Sequence, residues 1–381
     1  MILTQCAVCA TDLGLTLGKK CGRCSTRYCG PECQKQHWES GGHDKLCKQI
    51  KKSGGAEQYN ANTKYTEAVA VAAEACAEDT KGQTCYICTQ ALHWKTKEGL
   101  VRMCACRGTA GFAHVSCLAE QAKILVAEAE ENNLGTEAFN ARWRRWDTCS
   151  LCEQQYHGVV RCALGWACWK TYVGRPENAV WCLAIGQLGT GLSSTQHHED
   201  VLTVREAQLS IMRRLGAAEE EMLVTQSNLA NTYSKIGQLE PALRMRRDVY
   251  FGWIRLRGKQ DPETLIEAGN YANLLFCLNR FEEVKTLLSK TIPVARRVLG
   301  DSHDATLKMR RIYARALCTA GDAPIDDVRE AVRLLEDLAP ITRRVLGGAH
   351  PMTVGIELDV QNSRTLLRGR LRARETPASS A

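Results

Sequence analysis

The 381-residue sequence contains no run of about 18 apolar residues, the length a membrane-spanning helix needs. Its best stretch, from Trp166 to Leu192, is broken by Lys170, Arg175 and Glu177. No basic-then-apolar leader opens the chain, because Met1-Ile2-Leu3-Thr4-Gln5 runs straight into Cys6; no secretory signal is read, and an intracellular setting, cytoplasmic or nuclear, is expected. Cysteine almost vanishes from residues 200–370, where Cys277 and Cys318 are the only two of the chain's 20. A nucleophile-and-base arrangement is missing as well. Cys168 and Cys182 precede His197 and His198 without an orienting Asp/Asn motif or an oxyanion loop, and their Ala, Trp and Leu neighbours mark them as buried, inert thiols. His197-His198 follows the polar turn 193–196 and reads as solvent-exposed, so no catalytic residue is assigned. The first half is rich in Cys, Gly and Trp and the second in Ala, Leu, Arg and Glu, a change of architecture that fits two or three domains of roughly 100–200 residues each.

What is present is a metal-ligand grammar. Fourteen cysteines and two histidines between Cys6 and Cys152 fall into two sets of eight. In a reducing compartment, cysteines at CxxC spacing serve as zinc ligands rather than disulfide partners. Ligating thiols are deprotonated, so four zinc ions held by fourteen thiolates would bring the formal charge from +8 to about +2. Overall basicity is therefore no argument for nucleic acid, which is not expected as a partner.

The first set is Cys6-x2-Cys9, Cys21-x2-Cys24, Cys29, Cys33, His43 and Cys47. A CxxC knuckle lets two sulfurs converge at about 2.3 Å from one ion, and the Cys29-x3-Cys33 and His43-x3-Cys47 pairs share one helical face each. With few apolar residues here, metal must supply the folding energy. Tyr28-Cys29, Cys33-Gln34, His37-Trp38 and Gly42-His43-x3-Cys47 resemble the MYND zinc finger. The resemblance implies Cys6, Cys9, Cys29 and Cys33 on one zinc and Cys21, Cys24, His43 and Cys47 on the other. His37, which spacing alone leaves open, would then be no ligand. It also implies a protein-interaction finger that takes short proline-rich peptides at Gln34 and Trp38, an exposed ring suiting an extended proline segment. The alternative is that Trp38 caps the small core.

Lys48–Asn62 reads as a polar linker and Thr63–Glu78 as a helix with a stripe of Tyr65, Val69, Ala72, Ala73 and Cys76, the last a packed small hydrophobe. The second set follows: Cys85-x2-Cys88, Cys104-x-Cys106, His114-x2-Cys117 and Cys149-x2-Cys152. This C4HC3 order, with Cys106-Arg107-Gly108 and His114-Val115-Ser116-Cys117-Leu118, resembles the RING-variant (RING-CH) finger; a plant-homeodomain finger usually has CxxC where this chain has Cys104-x-Cys106. The resemblance implies Cys85, Cys88, His114 and Cys117 on one zinc and Cys104, Cys106, Cys149 and Cys152 on the other. It further implies ubiquitin transfer without a covalent enzyme intermediate, with Ile87 as an apolar contact for a charged conjugating enzyme (E2). Gln121 stands where that family commonly has Trp. The thirty-one residues between Cys117 and Cys149 hold two helices, Leu118–Asn132 and Thr136–Trp146, that could cover the enzyme-binding face.

Trp166, Trp169 and Tyr172 recur three apart, the pattern of a bridging helix that packs finger to scaffold. Beyond it the chain repeats at 42 residues. Gly216, Gly258 and Gly300 are spaced so, Gly347 follows at 47 with an insertion expected at 321–326, and Ala230, Ala272 and Ala314 align at the same interval, as do Gly237, Asn279 and Gly321. Helix pairs are read over Leu223–Lys235 with Pro241–Arg257 and over Pro262–Leu278 with Phe281–Leu299; a weaker unit at 177–216 has its first helix interrupted by Gly189 and Gly191. Leu346-Gly347-Gly348-Ala349-His350-Pro351-Met352-Thr353 resembles the signature of kinesin-light-chain tetratricopeptide repeats. Such units must stack to bury their apolar faces. The Arg pairs Arg213-Arg214, Arg246-Arg247, Arg296-Arg297, Arg310-Arg311 and Arg343-Arg344 either line a concave face for acidic peptides or pair with nearby Glu on a solvated one.

The expected molecule is mainly α, with two small cross-braced zinc fingers followed by a tetratricopeptide-type α-solenoid. Its parts are a first finger over 1–50, linker and helix over 51–80, second finger over 81–156, bridging helix over 157–176, repeats with a capping helix over 177–372 and a disordered tail over 373–381. The expected function is a RING-variant-type E3 ubiquitin-protein ligase or ligase adaptor that holds clients through the MYND and repeat surfaces. The alternative is a non-enzymatic protein-protein interaction scaffold with structural zinc. Lysine methylation, which accompanies MYND fingers in methyltransferases, is excluded because no SET-like segment follows.

Overall fold

The structure, a computed structural model, describes residues 4–14, 17–319 and 323–375. Among these the protein is mainly helical, with fifteen α-helices and one two-stranded antiparallel hairpin, β1 (Lys19–Lys20) and β2 (Arg27–Tyr28). No helix is long and apolar enough to cross a membrane. The chain divides into two compact units, Met1–Ala218 and Glu219–Ala381.

In the first unit, α1 (Pro31–Glu39) and α2 (His43–Lys52) belong to the first finger, and α3 (Ala56–Ala75) follows almost at once. The stretch read as a linker is thus helical except at Ser53-Gly54-Gly55, where both glycines take positive φ. Its Lys, Gln and Glu residues are good helix formers, and their polarity marks solvated faces; only the Ser-Gly-Gly punctuation marks a break. The amide of Ala56 donates to the Cys24 carbonyl at 3.0 Å, so α3 starts directly on the finger. From there α3 runs as a strut: Ala61, Tyr65, Val69 and Ala72 are buried, Tyr65 Oη pairs with Ser116 Oγ at 2.9 Å, and Lys170 Nζ sits 4.0 Å over the Tyr65 ring.

The remaining helices of this unit are α4 (Val115–Glu131), α5 (Thr136–Trp143), α6 (Gly158–Tyr172), α7 (Ala179–Ser193) and α8 (His198–Leu215), with a 3-10 turn at Arg144–Trp146. Helix α6, apolar except for Arg161, Lys170 and Thr171, is buried on nearly every side and packs against α3, α4 and α7. Its aromatic residues reach different partners: Tyr172 meets Trp143 and Trp146 at 5.5 and 5.8 Å, while Trp169 meets Trp181 of α7 edge-on at 4.9 Å. One continuous core joins these helices to Cys85, Cys117 and Cys149 of the second finger.

Gly189 and Gly191 do not interrupt a helix, since α7 runs unbroken through both. Gly191 is where α6 and α7 touch: a Cβ there would lie 2.8 Å from the Arg161 carbonyl oxygen and 3.2 Å from the Gly165 Cα. Missing side chains on both helices let the backbones meet, a packing reason that outweighs the roughly 1 kcal/mol glycine costs within a helix.

The second unit contains α9 (Glu219–Lys235), α10 (Leu239–Arg257), α11 (Pro262–Cys277), α12 (Phe281–Val298), α13 (Asp304–Thr319), α14 (Ile325–Leu346) and α15 (Pro351–Glu375). Each helix packs on the next, and α11, α13 and α15 also touch in series, which is the stacking of helix pairs in a repeat array. Gly258, Gly300 and Gly347 end the second helices with φ of 84, 96 and 89°. Ala230, Ala272 and Ala314 are fully buried where the helices approach. The insertion near 321–326 lies partly outside the described residues, and so does the tail beyond Glu375; α15 itself continues to Glu375.

The arginine pairs do not form a free guanidinium face. Arg246 and Arg310 are buried, and Arg296, Arg311 and Arg343 pair with Asp301, Asp359 and Glu357. Arg246 of α10 donates to Glu267 of α11 at 2.7 Å and to Ser227 of α9 at 2.6 Å, and Asn270 donates to the same carboxylate at 3.1 Å. Breaking one partner of such a pair strands a buried charge. Glu267→Ala is expected to lower the stability of the second unit by about 3–5 kcal/mol, whereas Arg246→Met with Glu267→Leu regains most of it; urea unfolding followed by circular dichroism measures both. Gly191→Ala is expected to cost the first unit about 1–3 kcal/mol in the same experiment.

Candidate metal centres and the surfaces they hold

Each CxxC pair sits in the same local turn. The carbonyl of the first cysteine accepts from a residue four further on (Cys6 from Ala10, Cys21 from Ser25, Cys85 from Thr89, Cys149 from Glu153), and its amide donates to the carbonyl after that, at 2.8–3.0 Å. Ala10, Ser25, Thr89 and Glu153 all have φ between 55 and 63°, the left-handed region that side chains disfavour by roughly 1–2 kcal/mol. The strain brings two sulfurs to one point.

Helix starts supply most of the other ligands, while Cys29 lies just before α1 and Cys104 and Cys106 lie outside any helix. Cys33 lies in the first turn of α1, His43 and Cys47 share a face of α2, and His114 is the residue before α4, with Cys117 one turn on. The α4 start is itself locked by Glu98, whose carboxylate accepts from the Ser116 amide at 2.7 Å and the Ser116 hydroxyl at 2.8 Å. A carboxylate satisfies the free N–H groups and the positive end of a helix.

The sixteen side chains gather into four groups of four: Cys6, Cys9, Cys29 and Cys33; Cys21, Cys24, His43 and Cys47; Cys85, Cys88, His114 and Cys117; Cys104, Cys106, Cys149 and Cys152. Within a group every ligand atom lies within 4.8 Å of the others. Cys9 and Cys29 sulfurs are 3.4 Å apart, Cys21 and Cys47 3.8 Å, and Cys106 and Cys149 3.8 Å. Four ligands at about 2.3 Å around one ion would stand about 3.8 Å apart. His43 turns Nε2 to Cys24 at 3.4 Å, whereas His114 turns Nδ1 to Cys88 at 3.4 Å and to Cys117 at 3.7 Å. The other nitrogen of His114 lies 3.4 Å from the Ala91 carbonyl, a contact that orients the ring. His37 stands outside all four groups, its Nδ1 paired with Tyr28 Oη at 3.0 Å.

The donor set fits a divalent cation on its own electrostatics. Hydrogen bonds from the Thr11 hydroxyl and amide, and from Cys29, pull the Cys9 thiol down to about 6, while its neighbour Cys33, bonded to the Cys29 sulfur, is pushed up to about 12. In the second group burial opposes ionisation of Cys21, but bonds from His43 and the Arg23 and Cys24 amides bring it to about 6; burial and the nearby sulfurs of Cys24 and Cys21 push Cys47 up to about 12. Four thiolates cannot ionise side by side unless a cation neutralises them, and a zinc ion held tetrahedrally by four sulfurs, or by three sulfurs and one imidazole nitrogen, does so.

Residues 6–47 match the model of the MYND finger, and residues 85–152 match that of the RING-variant domain. The four groups fit four zinc ions, two in each finger. No curated protein significantly matches the chain. Among solved structures, a kinesin light chain protein of Podosopora anserina with nearly identical TPR-like repeats is 18% identical with a TM-score of 0.40, covering 61% of this chain and 97% of that one; a point variant of it scores 0.41. BtubC (BKLC) from P. vanneervenii is 12% identical with a TM-score of 0.38, covering 70% of this chain and 96% of that one.

The surfaces held by the metal centres differ. In the MYND finger, Trp38 on α1 is 45% exposed and Gln34, one turn earlier, is half-buried. In the RING-variant domain, Ile87 is 38% exposed between Cys85 and Cys88. Sequence reasoning passed over Leu151, 51% exposed between Cys149 and Cys152, although its place inside a CxxC knuckle parallels that of Ile87. The hydrogen bond between Tyr86 Oη and Ser150 Oγ, 3.1 Å, ties these two knuckles together. Gln121 is half-buried on α4.

Native mass spectrometry is expected to find four zinc ions. The first group, with Cys9 and Cys29 exposed, should lose its ion to a chromogenic chelator about tenfold faster than the second, whose four ligands are all buried. Release of all four in one phase would contradict this.

Proposed function

We propose that the protein is an E3 ubiquitin-protein ligase or ligase adaptor, recruiting a charged conjugating enzyme through the RING-variant domain and clients through its other surfaces. One observation carries the reading. The helices inserted between Cys117 and Cys149 pack on one another and, through α4, on α6, and Ile87 and Leu151 remain exposed on the two knuckles joined by Tyr86 and Ser150. Two apolar side chains on a braced surface suit docking of a partner, and the rigidity beneath them orients a bound thioester for attack by a lysine, a gain in proximity rather than covalent catalysis. Zinc supplies only the bracing.

For clients, Trp38 with Gln34 on one face of α1 suits an extended proline-rich peptide. The cleft of about 540 Å³ lined by Asn270, Asn273, Lys308, Arg311 and Arg315 on α11 and α13 suits acidic segments less well, because Lys308 is paired with Asp304 and Arg311 and Arg315 with Asp359.

With a panel of conjugating enzymes carrying ubiquitin, the purified protein should accelerate discharge to lysine. Ile87→Ala and Leu151→Ala should each slow it about tenfold, equivalent to ~1.4 kcal/mol, at unchanged zinc content. If discharge never exceeds that of an Ile87→Ala, His114→Ala double variant while proline-peptide binding still depends on Trp38, the protein is a scaffold without ligase activity.

A further inference from the structure

Between Cys88 and Cys104 the chain makes a turn that closes on itself. The amide of Lys97 donates to the His93 carbonyl at 2.9 Å, and the His93 amide donates to the Glu98 carbonyl at 3.0 Å. Lys97 takes a φ of 59°, a conformation that side chains disfavour and that the closure imposes. The inside of the turn is filled by His93, which is buried: its Nδ1 accepts from the Thr96 amide at 3.1 Å, and its ring stands edge-on to that of the candidate ligand His114 at 5.3 Å. The Thr96 hydroxyl donates at 3.0 Å to Glu98, the carboxylate that also locks the start of α4 through Ser116. The turn is therefore anchored both to a metal group and to a helix. Yet the side chains it carries outward are apolar, Leu92 at 59% and Trp94 at 66% exposure, more than Ile87 or Trp38 shows. On a loose tail such rings could fold back onto the protein; on this mount they stay in water.

The charge around Trp94 has one sign. Lys95 and Lys97 are exposed and have no ion pair among the described residues. The carboxylates of the neighbourhood are already in use: Glu98 on Thr96 and Ser116, Asp79 on Arg102 at 2.6 Å and Glu78 on Lys81 at 2.7 Å. A projecting turn whose inside is filled offers no recess for a partner's side chain. It can instead enter a soft apolar layer. The indole ring favours the boundary between headgroups and acyl chains, and ammonium groups one and three residues further on reach acidic headgroups.

We infer that the turn 92–97 attaches the protein to the surface of an anionic membrane, Leu92 and Trp94 entering the headgroup boundary and Lys95 and Lys97 meeting the acidic headgroups. Two apolar side chains and two charges make a weak, reversible attachment at the interface, distinct from a membrane span. The site goes beyond the ligase reading, and absence of ubiquitin discharge would leave it intact.

The probe is a sucrose-loaded vesicle of phosphatidylcholine, alone or with about 30% phosphatidylserine, sedimented with the full-length, zinc-loaded chain. Binding to the anionic vesicles should be at least about tenfold stronger than to the neutral ones and should fall in high salt. Leu92→Ser with Trp94→Ser should weaken it about tenfold, and Lys95→Glu with Lys97→Glu about tenfold or more. Trp38→Ala, on the other finger, should change it less than twofold. Lipids brominated near the headgroup should quench tryptophan fluorescence in the unaltered chain and largely fail to do so in Trp94→Phe. Zinc content and helical circular dichroism verify each variant; should the Leu92 and Trp94 pair misfold, the lysine pair and Trp94→Phe carry the test. No binding to anionic vesicles, equal binding to neutral ones, binding that survives both double variants, or quenching that persists in Trp94→Phe would each overturn the inference. So would Trp94→Ser slowing ubiquitin discharge in solution while vesicle binding stays unchanged, which would make the turn a protein-docking surface.

Discussion

Convergence of sulfur is the constraint on which the first unit depends. Four thiolates or three with an imidazole, packed within 4.8 Å, repel one another unless a divalent ion stands among them. Hydrogen bonds and burial already pull Cys9 and Cys33, and Cys21 and Cys47, in opposite directions. The repulsion is compounded by four left-handed, non-glycine turn residues, one after each CxxC pair. Coordination can hold that strain because each ion closes two chain segments at once: Cys6 and Cys9 with Cys29 and Cys33 in one group, Cys21 and Cys24 with His43 and Cys47 in the next. The MYND finger has only a small core, Cys6 to Ala56, to add to this.

The RING-variant domain is held in a second way. Its ligands Cys85, Cys117 and Cys149 belong to the same apolar core as α3, α6, α7 and α8. Helix α3 reaches from the Cys24 carbonyl to Ser116, and so spans from one finger to the other, while α6 is buried nearly all round between α3, α4 and α7. The domain's knuckles, with Ile87 and Leu151 exposed on them, are thereby fixed from beneath as well as by metal.

The second unit rests on a different balance. Small residues at a fixed register let helices approach, positive-φ glycines turn the chain, and a buried arginine-carboxylate pair crosses three helices. Such a pair is a poor source of net stability, but it penalises any misalignment of α9, α10 and α11 that would leave Arg246 or Glu267 alone. Several other arginines of the repeats, Arg296, Arg311 and Arg343 among them, are spent on neighbouring acids.

Ligand type and spacing are written along the chain, because a zinc knuckle is a local object and a 42-residue period is visible without a partner; the four-ion content, both finger types and the helix pairs were legible for that reason. Less legible was whatever depends on two segments meeting. Lys48–Asn62 looked like a linker because its charge is seen without the finger surface that α3 starts from. Gly189 and Gly191 looked like breaks because the backbone of α6, against which Gly191 packs, lies elsewhere in the sequence. Leu151 passed unnoticed because its exposure, and its link to Ile87 through Tyr86 and Ser150, exist only after folding. The sequence by itself determined which atoms can bind metal and where helices alternate, since both follow from nearest neighbours along the chain. Only the tertiary structure decided which arginines are buried, which apolar residues stay in water and which lysines lack a counter-charge, because burial and charge pairing are properties of contacts between distant segments.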